Sequence, residues 1–336
     1  VAGATPDTPK RRRWLMPAAA LLLLLLAAAG GAAWYGWQRY VGPGPLAQDT
    51  TIVIARGTGV QAIARQLDST GVVRSERDVL VALKLRDSVR RLKAGEYAIP
   101  AGISLKDVLD LIESGKTVIR RFTVPEGLTS AQIVELLRAE PSFSGEVTAI
   151  PADGTLLPET YHYSWGDDRA ALLARMAADM RKALESLWPD RAPDLPVKTV
   201  EEAVTLASIV EKETGMAAER PKVAGVFVNR LRMGMKLQSD PTTIYALTGG
   251  KGPLERPLTR ADWKLENPYN TYFIDGLPPG PIANPGLASL KATLNPESHK
   301  YLYFVADGTG GHAFAETLDE HNRNVAAWRR VQDGRQ

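Results

Sequence analysis

The chain of 336 residues contains no cysteine. That removes disulfide frameworks, thiol nucleophiles, iron–sulfur ligation and Cys-based zinc sites together. Histidine is nearly as scarce: His162, His299, His312 and His321 are the whole supply. His312, Glu320 and His321 lack the H-E-x-x-H spacing, so no metal and no cofactor is expected. Gly and Pro, at 29 and 23, are too scattered for a collagen-like or low-complexity chain. A basic binding face is also missing. Lys10, Arg11, Arg12 and Arg13 against Asp7 carry the whole net charge of +3, and the remainder is balanced. Nucleic-acid binding needs a clustered cationic footprint, so it is not expected. No G-x-S-x-G elbow occurs, and Ser208 has no obvious His partner. Gly308–Gly311 lacks a following Lys-Ser/Thr and reads as a hairpin loop rather than a phosphate cradle.

What the chain does have is a core and an apolar run. Hydrophobic residues make up 44% and charged residues 24%, which excludes wholesale disorder. The span from Leu15 to Gln38 carries no charge and includes Leu21–Leu26. About 20 apolar residues cross a hydrocarbon core. Trp14, Trp34, Tyr35 and Trp37 stand where interfacial belts form, and the basic cluster precedes the span. By the positive-inside rule residues 1–13 stay cytoplasmic as a tail, 14–38 cross, and the rest is exported. The alternative is a cleaved signal peptide, with a cut after the Leu run. Either way the main body is extracytoplasmic, which in a Gram-negative cell means periplasmic.

Residues 39–49 read as a linker. A strand, a Gly turn and a helix are then expected three times: Ile52–Ile54, Gly57, Ile63 and Leu67; Tyr97–Ile99, Gly102, Val108 and Ile112; Phe122–Val124, Gly127, Ile133 and Leu137. Each helix has an apolar pair at i, i+4. Ser104 and Thr129 are placed as N-caps. The reading is α+β, with a small module over 50–120, a connecting region over 121–165 and a further domain over 166–336. Ala170–Leu187 has helical periodicity. Thr199 and Glu202 form a capping box that opens a helix stopping at Gly215, and a second helix runs from about Pro221 to Gly234. The Pro- and Gly-bearing stretch 235–300 looks loop-built. Tyr301–Val305 and Ala313–Ala315 read as strands, and Leu318–Arg330 as a last helix.

Glu211 is singled out by phase. It shares a helical face with Val204, Ala207 and Ser208, while Glu213 is rotated by about 200°. A carboxyl against apolar neighbours keeps its proton to higher pH, as a general acid for a glycosidic oxygen requires. The other reading is a structural Glu paired with Lys or Arg.

The strings Leu206-Ala-Ser-Ile-Val-Glu211-Lys-Glu-Thr, Glu219-Arg220 and Val226-Phe-Val-Asn229-Arg-Leu231 resemble the YceG-like family of membrane-bound endolytic murein transglycosylases. So do Leu237-Gln-Ser-Asp240-Pro-Thr-Thr-Ile-Tyr245, Asn267-Pro-Tyr-Asn-Thr-Tyr272, Gly276-Leu-Pro-Pro-Gly-Pro-Ile-Ala-Asn-Pro-Gly286 and Phe314…Glu320-His321-Asn322. Asp153-Gly-Thr-Leu-Leu-Pro-Glu159-Thr-Tyr161 departs from the family's E-G-x-L-x-P-D-T-Y only in which acid stands where. The resemblance implies a lyase that cuts nascent peptidoglycan strands between N-acetylmuramic acid and N-acetylglucosamine, leaving 1,6-anhydro ends. It implies that Glu211 is the single general acid/base and that 50–120 is a LysM-like glycan-binding module. Peptidoglycan synthases are the implied partners, and a single-pass inner-membrane location with a periplasmic catalytic domain is the implied setting. Glu219, Asn229, Gln238, Asp240 and Asn270 are candidates for binding sugar hydroxyls or acetamido groups, and Tyr245, Tyr269 and Tyr272 for stacking on pyranose rings. Core packing for the tyrosines, a solvated Asn229, a dipole role for Glu219 and a plain turn at Asp240-Pro241 stay open. So do a water-using muramidase, with Glu219 or Asp240 as second carboxylate, and a non-catalytic wall-binding scaffold.

Overall fold

The computed structural model describes residues 12–88 and 90–333. Asp7, Lys10 and Arg11, and with them most of the expected cytoplasmic tail, lie outside the described residues. The chain forms two compact units. One runs to Ile119 and includes Ser164–Gly166; the other comprises Arg120–Tyr163 and the chain from Asp167 on. Both mix helices with two-stranded antiparallel sheets, so the α+β class holds.

The first unit begins with α1 (Arg12–Val41), of which Pro17–Val41 is long and apolar enough to cross a membrane and is exposed from Pro17 to Trp37. It continues with β1 (Thr50–Ile54), α2 (Val60–Ser69), α3 (Glu76–Leu85), β2 (Gly95–Ile99) and α4 (Leu105–Ser114). The expected i, i+4 pairs Ile63/Leu67 and Val108/Ile112 are buried with Val79, Leu83 and Tyr97 in one core. Each such side chain contributes about 1.5–3 kcal/mol. Ser104 caps α4 by accepting from Asp107 N at 3.1 Å. The strands of the first two repeats are not separate units: β1 pairs with β2, Ile52 opposite Tyr97. Helix α3, capped by Ser75, lies between them in sequence and was not anticipated.

The second unit holds β3 (Arg120–Thr123), α5 (Ser130–Ala139), β4 (Thr160–Tyr163), α6 (Arg169–Leu187), α7 (Val200–Glu213), α8 (Arg220–Arg232), α9 (Asp240–Thr248), α10 (Leu287–Leu294), β5 (Tyr303–Ala306), β6 (His312–Ala315) and α11 (Leu318–Asp333). Thr129 caps α5 in a full capping box with Gln132. The stretch 121–165 has its own core: Val124, Ile133, Leu137, Phe143 and Tyr161 pack with Leu172 and Met176 of α6.

Helix α7 is the axis of this unit. Thr199 caps it, but the Glu202 carboxylate reaches Lys198 N at 2.5 Å instead of Thr199 N, so only half of the expected box forms. Every residue from Ala203 to Val210 is buried. One face packs with Val223 and Phe227 of α8 and Ile282; the other packs with Met180 and Leu290. The 235–300 stretch contains α9 and α10, both short and flanked by Pro and Gly. Gly308–Gly311 is the loop of the β5–β6 hairpin, as expected.

Candidate active site

A cavity of about 430 Å³ opens beside the C-terminal end of α7. Such a volume is in the range of small-ligand sites. Its walls come from the end of α7, from α8, from the segment before α9, from Tyr272, and from the β5–β6 hairpin with the start of α11.

Glu213, the last residue of α7, lines it. The carboxylate Oε1 accepts from the Oγ of Ser239 at 2.5 Å, and Ser239 is itself buried at the N-cap of α9. Burial pushes the Glu213 pKa up to about 7. The Ser239 bond, His312 and Arg230 oppose that rise, while Asp240 adds to it. Near neutral pH the side chain therefore holds its proton much of the time and can still release it.

Glu211, two residues earlier, has different surroundings. Its side chain is 4% exposed. Oε1 accepts from Arg220 Nη2 at 3.0 Å, and Oε2 accepts from the backbone N–H of Gly286 at 2.8 Å. Gly286 is the N-cap of α10, so the carboxylate sits where the helix dipole favours negative charge. Arg220 also binds Glu126 at 2.9 Å. A Cβ on Gly286 would meet the Glu126 side chain, which would have to shift. Glu211 is thus buried, as its phase suggests, but it is paired with an arginine and is not among the cavity-lining residues.

The other expected site residues divide. Gln238, Asp240 and Tyr272 line the cavity. Asp240 Oδ1 accepts from Tyr272 OH at 2.7 Å and from Trp263 Nε1 at 3.0 Å, and those two rings stack 5.5 Å apart. Gln238 has φ +52°, a left-handed conformation that costs a non-glycine residue about 1–3 kcal/mol. Glu219 is one step removed. Its Oε2 lies 2.7 Å from His312 Nδ1, its Oε1 accepts from His312 N at 3.0 Å, and it is His312 that faces the cavity.

Asn229, Tyr245, Tyr269 and Asn270 are engaged elsewhere. Asn229 Nδ2 donates to the carbonyls of His299 and Tyr301. Tyr245 OH donates to Asp153 at 2.7 Å, and its ring packs on Tyr269 at 4.8 Å. Asn270 is fully buried; it donates to the carbonyls of Trp263 and Leu265 and accepts from Thr243 Oγ1. These bonds fix the loops around the cavity instead of facing into it.

Besides Glu213, three polar cavity residues are not among the site residues expected from the sequence. Arg230 is buried and donates to the carbonyls of Leu302 at 2.6 Å and Leu237 at 2.8 Å. His312 and His321 come from the hairpin and α11. Burial lowers the His321 pKa, and its ring stacks on Tyr303 at 5.2 Å. Only the string Phe314…Glu320-His321-Asn322 hinted at this wall.

Comparison with known proteins agrees with this architecture. The model of the YceG-like family matches residues 52–327. The chain is 31% identical over 303 residues to an endolytic murein transglycosylase of Bacillus subtilis strain 168, covering 81% of this chain and 82% of that protein. It is 30% identical over 325 residues to an endolytic murein transglycosylase of Streptococcus pneumoniae serotype 2, covering 82% of this chain but 58% of that protein. A crystal structure of a yceG-like protein from Listeria monocytogenes superposes with a TM-score of 0.51 at 29% identity, over 82% of this chain and 98% of that one.

Proposed function

The chain belongs to the YceG-like family, and from that premise we propose that it is an endolytic murein transglycosylase with one glutamate at the end of α7 as its single general acid/base: Glu213 on its place in the cavity wall, or Glu211, the residue to which the family resemblance points. One observation favours Glu213: its carboxyl stands in the wall of the cavity, bonded to Ser239, and the Glu211 carboxyl does not. Glu211 is held in an ion pair.

In this mechanism Glu213 gives its proton to the bridging oxygen as the bond to muramic acid C1 breaks. N-acetylglucosamine leaves with a free hydroxyl. The Glu213 carboxylate then takes the proton from the muramic acid C6 hydroxyl, whose oxygen attacks C1 and closes a 1,6-anhydro ring. The proton given is recovered and no water is consumed. Tyr272 and Gln238 are the cavity groups suited to contact sugar. His312, held by Glu219, and Arg230 keep the Glu213 pKa from rising further. That matters because the same group must accept a proton in the second step.

The same reading has α1 crossing the cytoplasmic membrane once, residues 1–13 inside, and the rest of the chain outside with the wall. The β1–α2–α3–β2 arrangement then serves as a LysM-like module on the glycan, and the partners are peptidoglycan synthases. A pull-down that recovers no synthase removes the partner.

Product analysis tests the activity. The full chain, incubated with peptidoglycan, is expected to release 1,6-anhydro-muramic ends. Glu213→Gln is expected to stop release and keep binding. Asp240 beside Glu213 gives a water-using route its one structural support, so reducing muramic ends would assign a muramidase instead. Binding without cleavage by the unaltered protein would assign a scaffold.

A further inference from the structure

A second cavity, of about 540 Å³, lies in the first unit between the last two turns of α1 and the outer face of α3. The cell-wall reading does not use it. Its walls are apolar: Ala33, Gly36 and Trp37 on α1 face Val81 and Leu85 on α3. Val81 and Leu85 are 58% and 83% exposed, which is costly for an α3 that stands in water.

The position of this cavity is fixed, because the end of α1 is bonded to the module. Arg39 donates to Asp78 of α3 at 2.7 Å. Arg86, just after α3, donates to Tyr40 OH at 2.8 Å. Gly44 N donates to the carbonyls of Gly102 and Ile103 at 3.1 Å. The module is therefore held at a set depth relative to the apolar helix.

Trp34, Tyr35 and Trp37 mark that depth as the membrane–water boundary. About 20 residues of helix span the hydrocarbon core, so a span centred on Leu21–Leu26 ends near Trp34. The apolar cavity walls lie at this level. Arg77, at the same cavity, forms no ion pair among the described residues. Arg39 and Arg86 already bind Asp78 and Asp110.

We propose that this groove holds a membrane phospholipid of the leaflet from which α1 emerges, its acyl chain over Val81 and Leu85 and its phosphate on Arg77. The proposal rests on α1 spanning the membrane. It makes α3 an interfacial element and seats the first unit on the bilayer surface.

The absence of cysteine makes the test clean. Leu85→Cys in the full chain is labelled with an NBD fluorophore, reconstituted in phosphatidylglycerol nanodiscs, and read with and without 5-doxyl lipid. Ser69→Cys on α2, which does not line the groove, is the reference. The expected result is about two-fold quenching at position 85 and none at position 69, with Arg77→Glu cutting the effect at 85 by about half. Native tryptophan quenching reports the span separately. Quenched tryptophan with a solvent-like label at position 85 overturns the groove and keeps the span. Unquenched tryptophan overturns both. Quenching at 85 that Arg77→Glu leaves unchanged overturns the phosphate assignment.

Discussion

Glu211 and Glu213 sit two residues apart on one helix and have opposite environments. Glu211 is enclosed by Arg220, Glu126 and the N-terminus of α10, and each of its oxygens has a charged or backbone donor. Glu213 has a single hydroxyl donor, a neighbouring carboxylate at Asp240, and a cavity. The first arrangement stabilises a carboxylate in place. The second leaves a carboxyl that keeps its proton near neutral pH at some cost to stability. Residue type is shared, so what the proposal uses to tell the two acids apart is their partners.

The largest expected difference is in turnover. Glu213→Gln should lower cleavage by about 10²–10⁴-fold, the usual contribution of a general acid/base. Glu211→Gln should leave cleavage per folded molecule within a few fold of the unaltered enzyme. Muropeptide analysis, normalised to folded protein, reads both.

Stability should then move in opposite directions. Removing the Glu211 charge leaves Arg220 with only the half-exposed Glu126, and the expected loss is about 3 kcal/mol. Glu213 has a raised folded-state pKa, about 7 against 4.5 for the free group. Its protonated form favours the fold. That contribution is full below about pH 4.5 and is lost as pH rises to about 7. Above pH 7 the buried charge opposes folding, so Glu213→Gln should gain stability there, by at most about 3 kcal/mol. Denaturant titrations at pH 5 and pH 8 check both signs, and a loss of stability at pH 8 for Glu213→Gln would break the comparison.

A smaller effect is expected on the pH profile. Ser239→Ala removes a bond that lowers the Glu213 pKa, so the fall of activity on the alkaline side should move up. Asp240→Asn removes repulsion and should move it down. Rate profiles of kcat for the two variants should straddle that of the unaltered enzyme. The smallest effect is at Gln238, where glycine relieves the positive φ. Gln238→Gly should stabilise the fold by about 1 kcal/mol while weakening substrate binding, seen as a higher KM.

Local signals explain what was legible in the sequence. Thr199 before an apolar run marked α7, Ser104 and Thr129 marked their helices, and Gly308–Gly311 marked its hairpin. Helix α9 hid behind Asp240-Pro241, which reads as a turn although Pro is at home in a first helical turn. The choice between Glu211 and Glu213 was not legible from phase. Phase discriminates only when a helix has one dry face, and Ala203–Val210 is buried all round. Both acids emerge from the same dry helix. What separates them is Gly286, 75 positions from Glu211, and a cavity wall at His312, 93 positions from its partner Glu219. Contacts at such separations leave no periodic trace.

The most direct measurement is the titration of the Glu213 carboxyl itself, followed by carbon NMR in the full chain and assigned by its loss in Glu213→Gln. The account predicts a midpoint near pH 7. A midpoint in the ordinary carboxylate range, about 4 to 5, would contradict it.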